Sequence, residues 1–565
     1  MSGMWRAFKH GTSSGTFSLE IQNAFSGHQS QRVAFSEGTG EIGVENQGLN
    51  RWGMDFRGGK NYEGYIWARG EAHTELFIAL ESRDGAKIYA EKKLRLTGKG
   101  WQRLDFALKP DASESAGRFA VKLKQPGSVT LGYAFLQPGS WGRFKGLPAR
   151  RDVAEALVDQ GITVLRLGGS MVNSTGYRWK KMIGPRDRRP PYTGTWYPHS
   201  SNGWGIFDFL SFCEAAGFLG IPDLNTNESP RDMADFVEYV NGPATSEWGN
   251  RRAADGHPKP YRLKHLEIGN EERVDENYWR SFKPLAEAIW QKDPRLILVV
   301  GDFLYGQPIR NPFEFTGAAA GISTLAAHQK ILQLAKQYDA EVWFDIHLGT
   351  EGPRPDWGGT LSYVDALDRI ARGARHRVVI FEFNANNHTM ARALGNAMAI
   401  NAIERDGRLP VATSANCLQP DGQNDNDWNQ GLLFLNQSKV WLQPPGYVTR
   451  MISKNYQPLL VGSEVHGDGN DLDVTAKCSR AGKILVLQVV NIGAKPVNSQ
   501  INLTNFTPRK PSANVEVLTG ALGDQNSTDN PGKIKPNSFA WRHGIKTGGI
   551  RFEFPPHSFT VMCFE

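Results

Sequence analysis

Over residues 1–140 the chain runs in short apolar-polar stretches separated by turn residues, as in Thr74-Glu75-Leu76-Phe77-Ile78-Ala79-Leu80. Phe17–Ile21, Gln31–Phe35, Gly40–Asn46, Tyr62–Ala68, His73–Glu81, Gln102–Ala107, Arg118–Lys124 and Val129–Leu136 each read as a strand. With no long amphipathic helix between them, this pattern predicts a β-sandwich. Between 141 and 455 the rhythm changes to strand, loop, helix. Apolar runs at Val164–Leu167, Gly220–Leu224, Leu263–Ile268, Leu296–Val300, Val342–Ile346, Val378–Phe383 and Val411–Cys417 predict strands. Helical periodicity lies near Arg151–Asp159, Phe207–Ala216, Pro230–Tyr239, Glu276–Gln291, Thr324–Tyr338, Tyr363–Ala371 and Met390–Arg405. Strands alternating with helices build a parallel sheet, and this many repeats predicts a (β/α)8 TIM-type barrel, although only seven strands are legible. From 456 to 565 the strand pattern returns (Leu472–Thr475, Ile484–Val490, Val515–Leu518, Phe559–Cys563), predicting a second sandwich. The expected protein is therefore multidomain, a barrel over 141–455 flanked by β-sandwiches over 1–140 and 456–565.

Composition narrows the function. A chain of 565 residues supports about two to four domains. The net charge of +7 is spread along the chain, which argues against nucleic acid as a partner. The densest basic cluster, Arg186-Asp187-Arg188-Arg189, runs into Pro190-Pro191 and reads as a loop. No apolar run is long enough to span a membrane. Sixteen tryptophans in so polar a chain suit a carbohydrate handler, because sugar C–H faces stack on indole. In the first sandwich Trp52, Tyr65, Trp67 and Trp101 are candidate platforms, with ordinary packing as the alternative. The four cysteines, at 213, 417, 478 and 563, lack metal-type spacing, and no other pattern calls for a metal or cofactor. Cys213 and Cys417 read as buried thiols, whereas Cys478 and Cys563 could pair. The opening Met1-Ser2-Gly3-Met4-Trp5 has no signal-peptide pattern.

The candidate chemistry sits at two strand ends. In Leu266-Glu267-Ile268-Gly269-Asn270-Glu271-Glu272 a short buried strand gives way at Gly269 to an amide beside a carboxyl. In Val378-Val379-Ile380-Phe381-Glu382-Phe383-Asn384 an apolar strand delivers one carboxylate. Side chains at the carboxyl ends of barrel strands line the active site. Two such glutamates match the acid/base and nucleophile of a retaining glycosidase. Taken singly, a glutamate at a strand end is usually a solvated loop charge, and it is the pair within a barrel-like array that gives the catalytic reading its weight.

Together these segments resemble glycoside hydrolase family 51, mostly α-L-arabinofuranosidases with some endo-β-1,4-glucanases. Trp141-Gly142-Arg143-Phe144-Lys145-Gly146-Leu147 through Leu165-Arg166-Leu167-Gly168-Gly169, Arg178-Trp179-Lys180, Ile183-Gly184-Pro185, Glu267-Ile268-Gly269-Asn270-Glu271, Leu518-Thr519-Gly520 and Asp529-Asn530-Pro531 carry the likeness. The first sandwich is similar to a carbohydrate-binding-module-type insert of one branch. The resemblance implies a retaining mechanism with Glu271, rather than Glu272, as acid/base and Glu382 as nucleophile. It implies Arg166 beside the nucleophile, Asn270 on the sugar 2-hydroxyl, and His347, Asn225 and Trp179 in substrate binding. The implied substrate is plant cell-wall polysaccharide or oligosaccharide, met in secreted or periplasmic form with a cytoplasmic protein as the alternative. Three departures stand out: nothing before Phe17 reads as the family's first barrel strand, Leu348-Gly349 follows His347 where relatives have aromatics, and Ser170 follows Gly169. They keep open an endo-β-1,4-glucanase or xylanase with the same glutamates, and a non-catalytic carbohydrate-binding protein.

Overall fold

The computed structural model describes residues 4–422, 428–467, 471–545 and 550–565. The chain forms two compact units, one of Met1–Glu155, Lys181–Gly205 and Leu435–Val440, the other of Ala156–Lys180, Ile206–Phe434 and Trp441–Glu565. The excursion Lys181–Gly205, expected within the barrel, therefore packs with the N-terminal unit.

Two antiparallel sheets make the first sandwich. One runs Trp5–Gly11, Gly40–Asn46, Glu114–Leu123, Glu75–Glu81, Ile88–Arg95; the other runs Ser14–Glu20, Ser30–Glu37, Gly127–Pro138, Tyr62–Gly70, Gln102–Leu108. Alternate residues such as Val33, Ile42, Ile66, Ile78, Phe119 and Val121 close the core between them. Trp5–Gly11 was not legible as a strand because it is an edge: Arg6 and Lys9 interrupt its alternation, as charges on edge strands commonly do. It pairs with Gly40–Asn46, so it belongs to the sandwich and not to the barrel.

Three of the four aromatic platforms expected in this sandwich, Tyr65, Trp67 and Trp101, are in use. Trp67 Nε1 donates to Asp187 Oδ2 at 2.6 Å, and the Arg188 guanidinium lies 3.9 Å from the Phe25 centroid and 4.7 Å from that of Trp67. Arg103 covers Tyr65 at 3.8 Å, and Arg69 lies over Trp101 at 5.0 Å. The basic cluster read as a loop thus caps this sheet face. Tyr65, Trp67 and Trp101 are packing residues here, not open sugar platforms.

Among the described residues the barrel sheet has seven parallel strands in chain order: β1 (Val164–Leu167), β2 (Leu219–Leu224), β3 (His265–Ile268), β4 (Ile297–Gly301), β5 (Glu341–Gly349), β6 (Arg375–Asn384) and β7 (Ala412–Ser414). β1 and β7 approach one another with no hydrogen-bonded ladder among the described residues, leaving the barrel nearly closed. Ile221, Val299, Trp343, Val379, Phe381 and Val411 fill part of its interior. Near-continuous apolar strands are what burial on both faces demands, and β3 to β6 are buried in that way, whereas β1 and β7 at the seam are only half-buried. The periodic helices also form, Glu276–Lys292 among them, capped by Asp275 Oδ1 accepting from Asn277 N at 2.8 Å. Elements of this region that the pattern did not predict are the helices Glu247–Ala254 and Pro444–Lys454 and a small sheet of Leu418–Pro420, Leu433–Leu435 and Val440–Leu442; in the sandwiches the unpredicted strands include Ile88–Arg95, Val497–Ile501, Asn537–Arg542 and Ile550–Phe554.

The C-terminal sandwich sets six strands (Leu459–Val461, Leu472–Cys478, Leu485–Asn491, Ser558–Phe564, Ser512–Thr519, Asn537–Arg542) against two (Val497–Ile501 with Ile550–Phe554). Helices Met390–Asp406 and Pro444–Lys454 cover the outer face of the larger sheet through Met390, Leu394, Val448, Val486 and Phe559. Cys478 and Cys563 are free. Cys478 stands opposite Leu485 and Cys563 opposite Val486, and successive residues of a strand point to opposite faces. The two thiols therefore cannot meet. Among the described residues no helix is long and apolar enough to cross a membrane.

Candidate active site

Arg166 on β1, the turn after β3, His347 on β5 and Glu382 on β6 converge at the carboxyl end of the barrel. The turn after β3 depends on close backbone approach. A Cβ at Gly301 would lie 1.8 Å from the Gly269 carbonyl oxygen, so β4 can pass beneath the turn only as glycine. Gly269 takes φ +80, and Glu271 follows at φ +51. For a residue with a Cβ that conformation costs roughly 1–3 kcal/mol and persists only where the surroundings enforce it. Here the enforcement comes from Glu272 N donating to Gly301 O at 2.8 Å and Asn173 Nδ2 donating to Asn270 O at 3.1 Å. The result aims the Glu271 carboxyl at His347, whose Nδ1 lies 2.9 Å from Glu271 Oε1.

Glu382 reaches the same point by a different device. Register between β5 and β6 slips by one residue, from Ile346 opposite Ile380 to His347 opposite Glu382, so Phe381 is an extra residue in β6. Its backbone N–H is taken by Asp345 Oδ1 at 2.7 Å, while Asp345 Oδ2 lies 3.0 Å from His347 Nε2. One buried carboxylate thus pins the bulge and orients the imidazole. Glu382 Oε1 accepts from Arg166 Nη1 at 2.7 Å, and its Oε2 accepts from Asn384 Nδ2 at 3.0 Å. Single donor or acceptor atoms of Glu271, His347 and Glu382 lie within 4.8 Å of one another. Among the described residues this is the one group of side chains so placed that could hold a metal ion. The Arg166 charge beside it opposes a cation, and two of its members already share a hydrogen bond.

Arg166 is the keystone. Its Nε and Nη2 fork onto Glu267 at 2.6 and 2.9 Å, and Nη2 also donates to Asn270 Oδ1 at 2.8 Å. Asp223 and Asp345 lie 3.7 and 4.0 Å away. Glu267, Asp223 and Asp345 are completely covered, whereas the side chains of Glu271 and Glu382 are 29 % and 18 % exposed. Only the latter two carboxyls can meet a substrate. Burial pushes the Asp223 carboxyl well above the usual range, with the nearby Glu267 charge adding to it. Burial also drives Glu267 up to about 8 against the pull of Arg166. Glu382 goes the other way: burial alone would raise it, but the charges of His347 and Arg166 and the hydrogen bonds from Asn384 and Arg166 hold it below the ordinary glutamate value. His347 is raised well above the usual imidazole range; burial opposes this, but Asp345 and Glu382 outweigh it.

The remaining expected residues fall differently. Asn270 is buried, with its Oδ1 fixed by Arg166 and no protein acceptor for its NH2 among the described residues, so that group is available to a hydroxyl. Asn225 was expected to line the pocket. Instead its Nδ2 donates to Val172 O and Ser174 O at 2.5 and 2.9 Å, and its Oδ1 accepts from Asn227 N at 2.8 Å. With its amide fully spent, it holds the loop that carries Asn173. Trp179 was expected to bind substrate but is fully buried among Phe207, Phe236, Tyr239 and Trp248, its Nε1 donating to Asp232 O at 3.0 Å. No ring face is open to a sugar. The Glu272 carboxyl packs over Gly269, and burial pushes it up to about 7. Glu267, Asp223 and Asp345 lie outside the strand-end pattern that points to Glu271 and Glu382, although the sequence carries a signal for them. Three acids stand inside apolar strands (Leu266-Glu267-Ile268, Pro222-Asp223-Leu224, Phe344-Asp345-Ile346), and buried acids require a partner.

The family model of the α-L-arabinofuranosidase 1 domain matches residues 156–342, and that of the α-L-arabinofuranosidase C-terminal domain matches residues 378–558. The chain is 24% identical to α-L-arabinofuranosidase 2 of Arabidopsis thaliana over 92% of its own length and 76% of that protein's. It is 28% identical to an extracellular exo-α-L-arabinofuranosidase of Streptomyces chartreusis over 74% of its own length and 51% of that protein's. In fold it is similar to an arabinose-bound GH51 α-L-arabinofuranosidase, with a TM-score of 0.79, 20% identity, and coverage of 99% of this chain and 91% of that one. An arabinose complex of the Thermotoga maritima α-L-arabinofuranosidase matches with a TM-score of 0.60, 20% identity, and coverage of 74% of this chain and 90% of that one.

Proposed function

The chain belongs to the α-L-arabinofuranosidases of glycoside hydrolase family 51, and from that membership we propose that it releases terminal arabinofuranosyl groups with retention of configuration, Glu382 acting as nucleophile and Glu271 as acid/base. The observation that carries this reading is the meeting of both glutamates at His347 within 4.8 Å. Retaining glycosidases keep their two carboxyl groups about 5–5.5 Å apart, whereas inverting ones need about 6.5–9.5 Å to admit a water.

In the first step a Glu382 oxygen attacks the anomeric carbon while Glu271 gives its proton to the glycosidic oxygen. The aglycone leaves as an alcohol and an arabinofuranosyl ester remains on Glu382. In the second step Glu271 takes a proton from water, whose oxygen attacks the same carbon and frees Glu382. Arg166 and Asn384 favour the ionised nucleophile that the first step needs. Asp345 holds His347, and one proton lies between His347 Nδ1 and Glu271 Oε1. The unspent NH2 of Asn270 supports its role on the sugar 2-hydroxyl.

The relatives' arabinofuranosidase names favour this reading over an endo-β-1,4-glucanase or xylanase. The substrate is taken to be arabinofuranosyl side chains of plant cell-wall polysaccharide. The extracellular description of the Streptomyces chartreusis relative supports action outside the cell. A slow 2-fluoro arabinofuranosyl donor tests the assignment: mass spectrometry of the digested enzyme is expected to find the sugar on the peptide carrying Glu382. An adduct on another peptide overturns it.

A further inference from the structure

A second carbohydrate-facing feature lies in the C-terminal sandwich. Among the described residues six strands face two, so the inner side of the end strand Asn537–Arg542 is left partly uncovered. Asn537, Phe539 and Trp541 stand opposite Val517, Val515 and Ala513, all three of which are buried, so they share the face turned toward the core. Among the described residues Ile550–Phe554 pairs with Val497–Ile501 along one edge and with no strand along the other. Between that edge and the end strand runs a groove of about 420 Å³, lined by Phe539, Trp541, Asn537, Arg551, Phe552 and Glu553 among others.

Its lining mixes flat apolar surface with unspent polar groups. Phe539 is 39% exposed, although it points to the core side of its strand. Trp541 stands edge-on to Phe552 at 5.1 Å, which fixes its plane. Among the described residues the Asn537 amide, the Arg551 guanidinium and the Trp541 indole N–H make no hydrogen bond to the protein, whereas Glu553 Oε2 accepts from Asn498 Nδ2 at 3.2 Å. Aromatic rings beside an amide and a guanidinium fork match a pyranose or furanose chain, which offers C–H faces and paired vicinal hydroxyls. An apolar peptide would leave the three polar groups unpaired. Arg551 and Glu553 together carry no net charge, which favours a neutral glycan over an acidic one.

We infer that this groove is a glycan-binding site, separate from the barrel site, that takes a neutral stretch of the polysaccharide. The N-terminal sandwich, whose corresponding aromatics are capped by Arg69, Arg103 and Arg188, does not offer such a surface at those rings. The inference rests on the reading of the chain as a polysaccharide-active enzyme, and two readouts keep the two apart. Native electrophoresis through gels containing arabinoxylan or arabinan reads polymer binding, and release of nitrophenol from an aryl α-L-arabinofuranoside reads the barrel site. In the full-length enzyme Phe539→Ala and Arg551→Ala are expected to weaken polymer retardation at least threefold while leaving aryl-glycoside turnover unchanged. Asn537→Ala, a smaller change at an exposed position, is expected to act in the same direction with unaltered melting. Retardation unchanged in all three variants overturns the inference, as does equal retardation by gels of uncharged non-glycan polymer. Absence of aryl-arabinofuranoside turnover in the unaltered enzyme would instead overturn the reading of the barrel site.

Discussion

The ends of β3 and β6 each present one glutamate to the same point, but by opposite means. Glu271 is delivered by the backbone: a left-handed residue after a glycine turn that only Gly301 leaves room for. Glu382 is delivered by a strand bulge and held by side chains, with Arg166 on one oxygen and Asn384 on the other. The difference fits the two tasks. A nucleophile must stay ionised and still, so it is surrounded by donors. An acid/base must gain and lose a proton each cycle, so among the described residues its carboxyl meets only an imidazole that can share that proton.

Substitutions can break this division of labour. The largest effect is expected for Glu382→Ala, which removes the group that forms the covalent intermediate. kcat on an aryl α-L-arabinofuranoside should fall on the order of 10⁴-fold or more, and near-normal turnover would refute the assignment. Glu271→Ala should cost about 10²–10⁴-fold, and the loss should depend on the leaving group. It is expected to shrink for nitrophenols, which depart without a proton, and to grow for alkyl and sugar aglycones; a loss independent of aglycone acidity contradicts an acid role.

Smaller changes sharpen the comparison through pH. The acid limb of kcat/KM reports ionisation of the nucleophile in the free enzyme. Arg166 and Asn384 lower the Glu382 value, so weakening either must raise it and move that limb to higher pH. Arg166→Lys loses the fork that also holds Glu267 and Asn270, and is expected to give the larger alkaline shift together with lower kcat. Asn384→Ala removes one hydrogen bond to a charged oxygen and should shift the limb by about one unit or less. A limb moving to lower pH in either variant contradicts the proposed electrostatics.

Much of this is legible in the sequence. Apolar strands buried on both faces announce themselves, and Glu271 and Glu382 stand at the ends of two of them. What stayed hidden depends on register and packing. The bulge at Phe381 has no sequence signature, since it arises only when β6 is laid beside β5. Trp179 looks the same in sequence whether it faces a sugar or, as here, four aromatic rings. Asn225 could not be told from a ligand until its amide was seen to be spent on the loop at Val172 and Ser174. The capping of Trp67 and Phe25 by Arg188 spans more than a hundred residues of chain, beyond the reach of any local pattern.

The central claim is that a Glu382 oxygen and water attack the anomeric carbon in turn, each inverting it. Proton NMR of the first seconds of aryl α-L-arabinofuranoside hydrolysis tests this directly. The account predicts that α-arabinofuranose appears first and only later equilibrates with its other forms. β-Arabinofuranose appearing first would mean a single displacement by water and would contradict it.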